Sequence, residues 1–195
     1  MTTPKGAPAD MARFAQEVGQ VGSEHAAQAL SVLLRHSVQV AALRALTLSA
    51  VELNSLSRLP GDVFFGVYFN LQGKSLGQVL VMISRAHACR LVDMVSDKPQ
   101  GATTVLDESG LSAIREVSNI LVGSYLGAAR ALVKVPLLHS IPFLAMDQWE
   151  TILNSLIPAL AETQKEKITV IESELSAQGS EVRCWVLLVV GDWWQ

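Results

Sequence analysis

The sequence predicts an α+β fold in which about six strands share one sheet and two long helices pack on it. Three observations support this prediction: an alanine-rich helical stretch opens the chain, two pairs of β-rich runs flank short polar turns, and the order helix, strand, hairpin occurs twice. Half of the 195 residues are hydrophobic and only 17% are charged, so the chain can build a substantial core.

The first half supplies a helix, a strand, a hairpin and a second helix. Residues 9 to about 36 have a helical period and contain no proline, and ALTLSAVELNSL is predicted as a strand with an irregular exit at Pro60-Gly61. The β-rich runs DVFFGVYFN and LGQVLVMIS flank LQGKS, where Gly73 indicates a turn. A helix is then expected in RAHACRLVDMVSD, followed by a linker, DKPQGATTVLD.

The second half repeats this order in part. A long helix is predicted from about 109 to 132, followed by a short strand in KVPLLHSI. WETILNSLIPALAET is predicted as a helix that bends at Pro158. The runs ITVIESELS and EVRCWVLLVV form a second predicted hairpin around AQGS.

The repeat is also visible in the residues. EVGQVGSEHAAQAL begins at Glu17 and EVSNILVGSYLGAA begins at Glu116; both open with Glu-Val, carry an amide at the fourth position and continue into small residues. We therefore predict a single domain of two similar halves, about 9–97 and 108–191, joined by the linker.

Charge and composition exclude several classes of partner. Fifteen basic and 18 acidic residues give a net charge of −3 with no basic cluster, so neither a nucleic acid nor a membrane is an expected partner. The start, MTTPKGAPADMARF, lacks the apolar core of a signal peptide, and the longest apolar runs are too short to span a bilayer. We expect a cytoplasmic protein in which Cys89 and Cys184 are reduced core thiols, a disulfide being the alternative.

Common catalytic motifs are missing from the sequence. It contains no GxxxxGK[ST], no GxGxxG after a strand, no HExxH, no CxxC and no GxSxG. The four histidines are scattered, so we expect no metal bound by this chain. An enzyme with this sequence would have neither its own nucleophile nor its own metal.

Three polar residues form a stripe along one side of the long helix predicted in the second half. Ser112, Glu116 and Asn119 are spaced i, i+4 and i+7, which stacks them along one side of a helix, away from its apolar positions. No cation lies between them in the stripe. The simplest interpretation is that these residues form the solvent-exposed face of the helix. The alternative is that they form a site that positions a water molecule.

The stripe extends into a longer motif. Ser112-x3-Glu116-x2-Asn119-x22-Pro142 is similar to the signature of the CheC/CheX/FliY family of chemotaxis phosphatases. The two Glu-Val segments resemble the two long helices of that family, and GVYFNLQGKSLGQVLVMIS resembles its hairpin. The resemblance covers the chain from about residue 10 to 191 and implies the duplicated CheC-like fold.

The resemblance implies a specific reaction, hydrolysis of the aspartyl phosphate on a response-regulator receiver domain, typically CheY. The receiver would supply Mg²⁺ and the phosphorylated carboxylate, and this chain would bind no cofactor. Asn119 would orient the attacking water, because an amide both accepts and donates hydrogen bonds. Glu116 would pair with the receiver's lysine, and Pro142 would shape the neighbouring segment. Ser112 would either hydrogen-bond the helix or orient Glu116.

The first half departs from this motif. The equivalent positions are Arg13, Glu17, Gln20 and Leu43, and the longer glutamine would place its amide up to about 1.5 Å farther out, where positioning tolerances are tight. We therefore expect a degenerate site at Glu17 and Gln20, on a helix retained for packing.

Other side chains are given structural roles, and a second function stays open. His25 is expected at the surface or in packing rather than as a proton shuttle. Trp149 and Trp185 are expected in the core or an interface, and Trp193-Trp194 are candidates for contact with a partner. The alternative function is a non-catalytic adaptor that docks a receiver domain or the CheD deamidase.

Overall fold

The computed structural model describes residues 8–49, 52–56, 62–72, 77–156 and 167–191. Within these ranges the chain forms helices and strands in the order expected of an α+β protein. The helices are α1 (Pro8–Leu34), α2 (Arg85–Val95), α3 (Glu108–Val133) and α4 (Trp149–Asn154), with a 3-10 helix at Glu52–Leu56. The strands are β1 (Val38–Leu48), β2 (Val63–Gln72), β3 (Gly77–Ser84), β4 (Leu138–His139), β5 (Phe143–Gln148), β6 (Ile168–Ala177) and β7 (Arg183–Val190).

The described strands form one seven-stranded antiparallel sheet. Its order is β1-β6-β7-β3-β2-β4, and β5 also pairs with β2. The first long strand of each half pairs with the hairpin of the other half, β1 with β6 and β5 with β2, while the two hairpins meet through β3 and β7. The predicted α+β fold is confirmed. This reciprocal pairing supports the predicted division into two similar halves, about 9–97 and 108–191, which stays a prediction.

The two faces of the sheet are covered by different elements. On one face α1, α2 and α3 pack over a large apolar cluster that includes Phe69 and Val186. On the other face the 3-10 helix and α4 enclose a smaller cluster around Trp149 and Trp185, whose ring centroids lie 5.5 Å apart. The two tryptophans are therefore core residues.

The helices α1 and α3 approach each other closely because α1 carries a glycine at the contact. A Cβ placed on Gly22 would lie 2.7 Å from the ring of Tyr125, which is fully buried. Nearby, the hydroxyls of Ser23 and Ser173 are 2.7 Å apart, which joins α1 to β6. These contacts fix the position of α3 on the sheet.

The linker between the halves is irregular, as predicted, but it is held in place by one buried carboxylate. Asp93 of α2 accepts hydrogen bonds from the backbone N–H of Gly101 at 2.8 Å and of Thr103 at 3.0 Å. Burial by itself raises the pKa of this carboxyl, but the hydrogen bonds from Thr103, Gly101 and Ala102 outweigh it and hold the pKa below its ordinary value. Asp93 is therefore charged and fastens the linker to α2.

Two predicted strands need correction, and a third strand was not predicted. The first strand begins at Val38 rather than near residue 45, because it pairs with β6 along its whole length, while ELNSL forms the 3-10 helix instead of continuing the strand. The strand predicted in KVPLLHSI is limited to Leu138–His139, and the sequence did not indicate β5 at all.

Several predictions fall on residues outside the described ranges. These are the exit at Pro60-Gly61, the turn at Gly73, the bend at Pro158 and the partner contact of Trp193-Trp194. Cys89 and Cys184 are both buried and free, as expected of core thiols. Among the described helices, none has the length and apolar character needed to cross a membrane.

Candidate functional site

The candidate site lies on the exposed side of α3. The helix begins at Asp107, whose carboxylate accepts a hydrogen bond of 2.8 Å from the N–H of Gly110. The apolar residues Ile114 and Val117 are buried against the sheet side, whereas Ser112 and Glu116 are exposed and Asn119 is half-buried. We call Ser112, Glu116 and Asn119 the α3 stripe.

The side chains of the α3 stripe are not engaged with the rest of the protein. Within the described ranges, none of the three has a hydrogen-bond or ion-pair partner in this chain. An unpaired carboxylate and an unpaired amide on a fixed helix are therefore available to groups of another molecule.

The segment that leaves α3 turns back and runs beside it. Lys134 adopts a left-handed conformation with φ of 60° and ends the helix. The chain then pairs with β2, where His139 lies opposite Leu71 and the N–H of Ser140 donates to the carbonyl of Asn70 at 2.9 Å. This pairing places β4 next to α3.

The contact between this segment and α3 lies one turn beyond Asn119. Nε2 of His139 is 3.9 Å from the position that a Cβ on Gly123 would occupy. Pro142 is half-buried in the connection between β4 and β5, so the structure places it in the segment beside α3 rather than on the stripe itself. Four apolar side chains of this segment and of β5 are exposed: Leu138, Ile141, Phe143 and Met146.

The equivalent side chains of the first half are engaged with one another on α1. Nε of Arg13 lies 3.4 Å from Oε1 of Glu17, and the amide of Gln20 donates to the carboxylate of Glu24. The predicted counterpart of the proline, Leu43, packs against α1 at Gly19. The first-half positions are thus occupied by pairs within the helix.

The sequence did not lead us to the ion-pair and hydrogen-bond partners on α1 or to the position of His139. Glu24 lies at i+4 from Gln20 and Arg13 at i−4 from Glu17, spacings that pair side chains on a helix, so both pairs could have been found from the sequence. His139 had no such signal, because its place beside α3 depends on the pairing of β4 with β2. His25 is exposed, as expected.

Other features of the surface do not contribute to the α3 stripe. A cleft of about 540 Å³ lies between α2 and the linker and is lined by Arg85, Arg90 and Thr103 among others, none of them on α3. In the part of the chain that the structure describes, no group of three or more His, Cys, Asp or Glu residues is arranged to hold a metal ion.

Comparison with known proteins identifies a similar sequence. No protein-family model matches the chain. The CheY-P phosphatase CheC of Bacillus subtilis (strain 168) is 26% identical over 157 residues, which is 80% of this chain and 75% of CheC.

Solved structures give the same fold. FliY of Thermotoga maritima matches with a TM-score of 0.72 at 18% identity, over 96% of this chain and 92% of FliY. FliM of Helicobacter pylori, solved in a FliG–FliM complex, matches with a TM-score of 0.59 at 12% identity, over 95% of this chain and 94% of FliM. The chain therefore has the CheC-like fold, and its resemblance to the CheC/CheX/FliY family is confirmed.

Proposed function

We propose that this chain, a protein of CheC-like fold, is a cytoplasmic phosphatase that hydrolyses the aspartyl phosphate of a receiver domain in chemotaxis or a related two-component pathway. One observation carries the proposal. The α3 stripe presents an unpaired carboxylate and amide within the described ranges, whereas the corresponding groups on α1 are paired with Arg13 and Glu24. The similarity to CheC of B. subtilis supports the reaction class.

The site needs few groups because the substrate is already activated. In this proposal the receiver domain supplies Mg²⁺ and the phosphorylated aspartate, and the metal neutralises charge on the phosphoryl oxygens. The water oxygen forms a bond to phosphorus, the bond from phosphorus to the aspartyl oxygen breaks with its electrons, and the proton released by the water passes to solvent. This chain's contribution is the position of the water.

Asn119 suits that task by chemistry and by position. Its side-chain oxygen accepts one hydrogen of the water, and its neutral amide does not repel the phosphoryl oxygens as a carboxylate would. The helix holds it rigidly, since α3 packs on the sheet and also against α1, where the buried Tyr125 meets Gly22. Holding a water in line with phosphorus lowers the barrier by several kcal/mol when positioning is accurate, on the order of the gains from proximity in general.

The other motif residues have supporting parts. Glu116 is exposed one turn before Asn119, where it would pair with the receiver's lysine and fix the orientation of docking. Ser112 would support Glu116, and Pro142 would shape the segment beside α3. Exposed apolar side chains on that segment, Ile141 and Phe143 among them, are typical of a surface that contacts another protein.

The second candidate is a non-catalytic adaptor that docks a receiver domain or a CheD-like partner. It is favoured by the match to FliM, which was solved in complex with FliG and shows that the same fold serves in protein assemblies.

Stoichiometry separates the two functions. A receiver domain is phosphorylated with a small phosphodonor, and phosphate release is followed with this protein at one hundredth of the receiver's concentration. A phosphatase releases many equivalents of phosphate per molecule. An adaptor changes the decay only in proportion to the amount added, and that result would reject the proposed function.

A further inference from the structure

The imidazole of His139 is held in one orientation beside α3. Its Nδ1 lies 3.0 Å from the carbonyl oxygen of Ser140, and its ring stands edge-on to Phe69 with centroids 5.2 Å apart at 89°. A carbonyl oxygen only accepts hydrogen bonds, so Nδ1 carries the hydrogen. In the neutral ring Nε2 therefore has a free lone pair.

Nε2 lies beside α3 at Gly123, one helical turn after Asn119. Nε2 is 3.9 Å from the Cβ position of Gly123 and is the one atom within 4 Å of it among the described residues, apart from the adjoining residues and backbone of α3. In a helix the Cβ leans toward the preceding turn, so the space beside Gly123 lies over the turn that begins at Asn119. The Cα atoms of Asn119 and Gly123 are about 6 Å apart along the helix axis, and their i,i+4 spacing puts both on the same side of α3. We infer that one water molecule, with two hydrogen bonds, joins the Asn119 side chain to the imidazole.

The residue at position 123 keeps this space open. Gly123 is exposed in the middle of α3, where glycine lowers helix stability, and no core contact excludes a larger side chain there. With glycine at this position, no side chain of residue 123 lies between the imidazole and the preceding turn of α3.

We propose that His139 is a second water-orienting residue of the site, whose Nε2 accepts one hydrogen of the water while the oxygen of Asn119 accepts the other. The inference rests on the proposed function. With both hydrogens engaged, an oxygen lone pair points toward the phosphorus. The bonds formed and broken, and the release of the proton to solvent, are those of the hydrolysis described above.

Two substitutions separate this role from a structural one. His139→Asn keeps a polar group near the Nδ1 position and can hold the contact with Ser140, but it has nothing at the Nε2 position. His139→Gln reaches the Nε2 position with an acceptor oxygen and loses the Nδ1 contact. The proposal expects His139→Asn to lower kcat at least about tenfold with KM nearly unchanged, and His139→Gln to recover much of that loss.

A pair of glycine variants tests the same geometry without touching His139. Gly123→Ala places a methyl group 3.9 Å from Nε2, on the side of the preceding turn, while the methyl group of Gly127→Ala, one turn later, meets no described atom within 4 Å apart from the adjoining residues and backbone of α3. Both changes raise helix propensity equally. Gly123→Ala is expected to lower kcat several-fold, and Gly127→Ala to leave it unchanged.

Single-turnover and steady-state assays of phosphate release decide between the outcomes. The proposal is supported if His139→Asn lowers kcat, His139→Gln restores much of it, and Gly123→Ala lowers kcat while Gly127→Ala does not. If His139→Asn keeps the wild-type kcat and His139→Gln loses it, the imidazole has a structural role and the proposal is overturned. Equal kcat values for the two glycine variants would also overturn the proposal. If turnover depends on Asn119 but not on His139, only this inference fails, whereas a wild-type protein without turnover removes the proposed function as well.

Discussion

Arg13 and Glu17 form an ion pair along α1, with 3.4 Å between Nε of the arginine and Oε1 of the glutamate. The internal repeat aligns these positions with Ser112 and Glu116 of α3, where a hydroxyl replaces the guanidinium. The two helices thus carry the same glutamate in two electrostatic environments. A lysine of a docking protein would compete with Arg13 for Glu17, but it would find Glu116 without an ion-pair partner among the described residues.

Replacing Arg13 with serine should have little effect on either stability or turnover. The Arg13–Glu17 pair is exposed, and such i,i+4 pairs contribute roughly 0.3–0.5 kcal/mol. Freeing Glu17 does not free Gln20, whose amide donates to Glu24. Thermal unfolding and phosphate release of Arg13→Ser check both expectations. A large change in turnover would mean that α1 carries a working site.

The contact between Gly22 and Tyr125 should make Gly22→Ala destabilising even though alanine is the better helix former. The added Cβ would lie 2.7 Å from ring atoms of a fully buried tyrosine. Overpacking of this kind costs about 1–3 kcal/mol, more than the gain in helix propensity of at most about 1 kcal/mol.

The matched control for this change is Gly127→Ala on α3. Apart from the adjoining residues and backbone of α3, no described atom lies within 4 Å of that Cβ position, so the substitution should stabilise the protein by about 0.5–1 kcal/mol. Urea unfolding of the two variants gives the comparison. Equal midpoints for both variants would contradict the close packing of α1 on α3.

The buried carboxylate of Asp93 should be important for stability. The carboxylate accepts hydrogen bonds from the backbone N–H groups of Gly101 and Thr103. In Asp93→Asn the side-chain NH₂ group would face one of these N–H donors, so one hydrogen bond would be lost. The lost hydrogen bond to a buried group costs about 1–3 kcal/mol. Urea unfolding at neutral pH measures this loss, and Asp97→Asn, an exposed acidic residue on the same linker, serves as the control.

The same carboxylate should make stability depend on pH. Its pKa in the folded protein lies below the ordinary value of 3.8, so it contributes stability that is fully present above that value and is lost as the pH falls through the lower folded pKa. The difference in unfolding free energy between wild type and Asp93→Asn should therefore shrink as the pH is lowered below about 4. A difference that stays constant down to pH 2 would contradict the assigned hydrogen bonds.

The sequence was informative where the pattern is local. The helical periods gave α1, α2 and α3 within a few residues of their observed ends, and the β-rich pairs gave both hairpins. The strand β5 was missed because FLAMDQ has no alternating apolar pattern and is a strand only through its pairing with β2. The start of β1 was predicted too late because its first residues, VQVAALR, are held in a strand by β6.

For the candidate site, too, the sequence predicted the features that depend on local spacing and not those that depend on strand pairing. The positions of Ser112, Glu116 and Asn119 on one side of a helix follow from their spacing alone. The hydrogen bond between Gln20 and Glu24 likewise follows from their i,i+4 spacing on a helix. The place of His139 beside Gly123 could not be predicted, since it depends on the turn after Lys134 and on a two-residue strand pairing.

The most direct test of the proposed mechanism is the rate of phosphate release from a phosphorylated receiver domain in the presence of catalytic amounts of wild type, Asn119→Ala and Gln20→Ala. Asn119 and Gln20 are the aligned amides of α3 and α1, so each variant controls for the other. The mechanism predicts rapid release with wild type and with Gln20→Ala, and a loss of at least about a hundredfold with Asn119→Ala. Undiminished release with Asn119→Ala would contradict it.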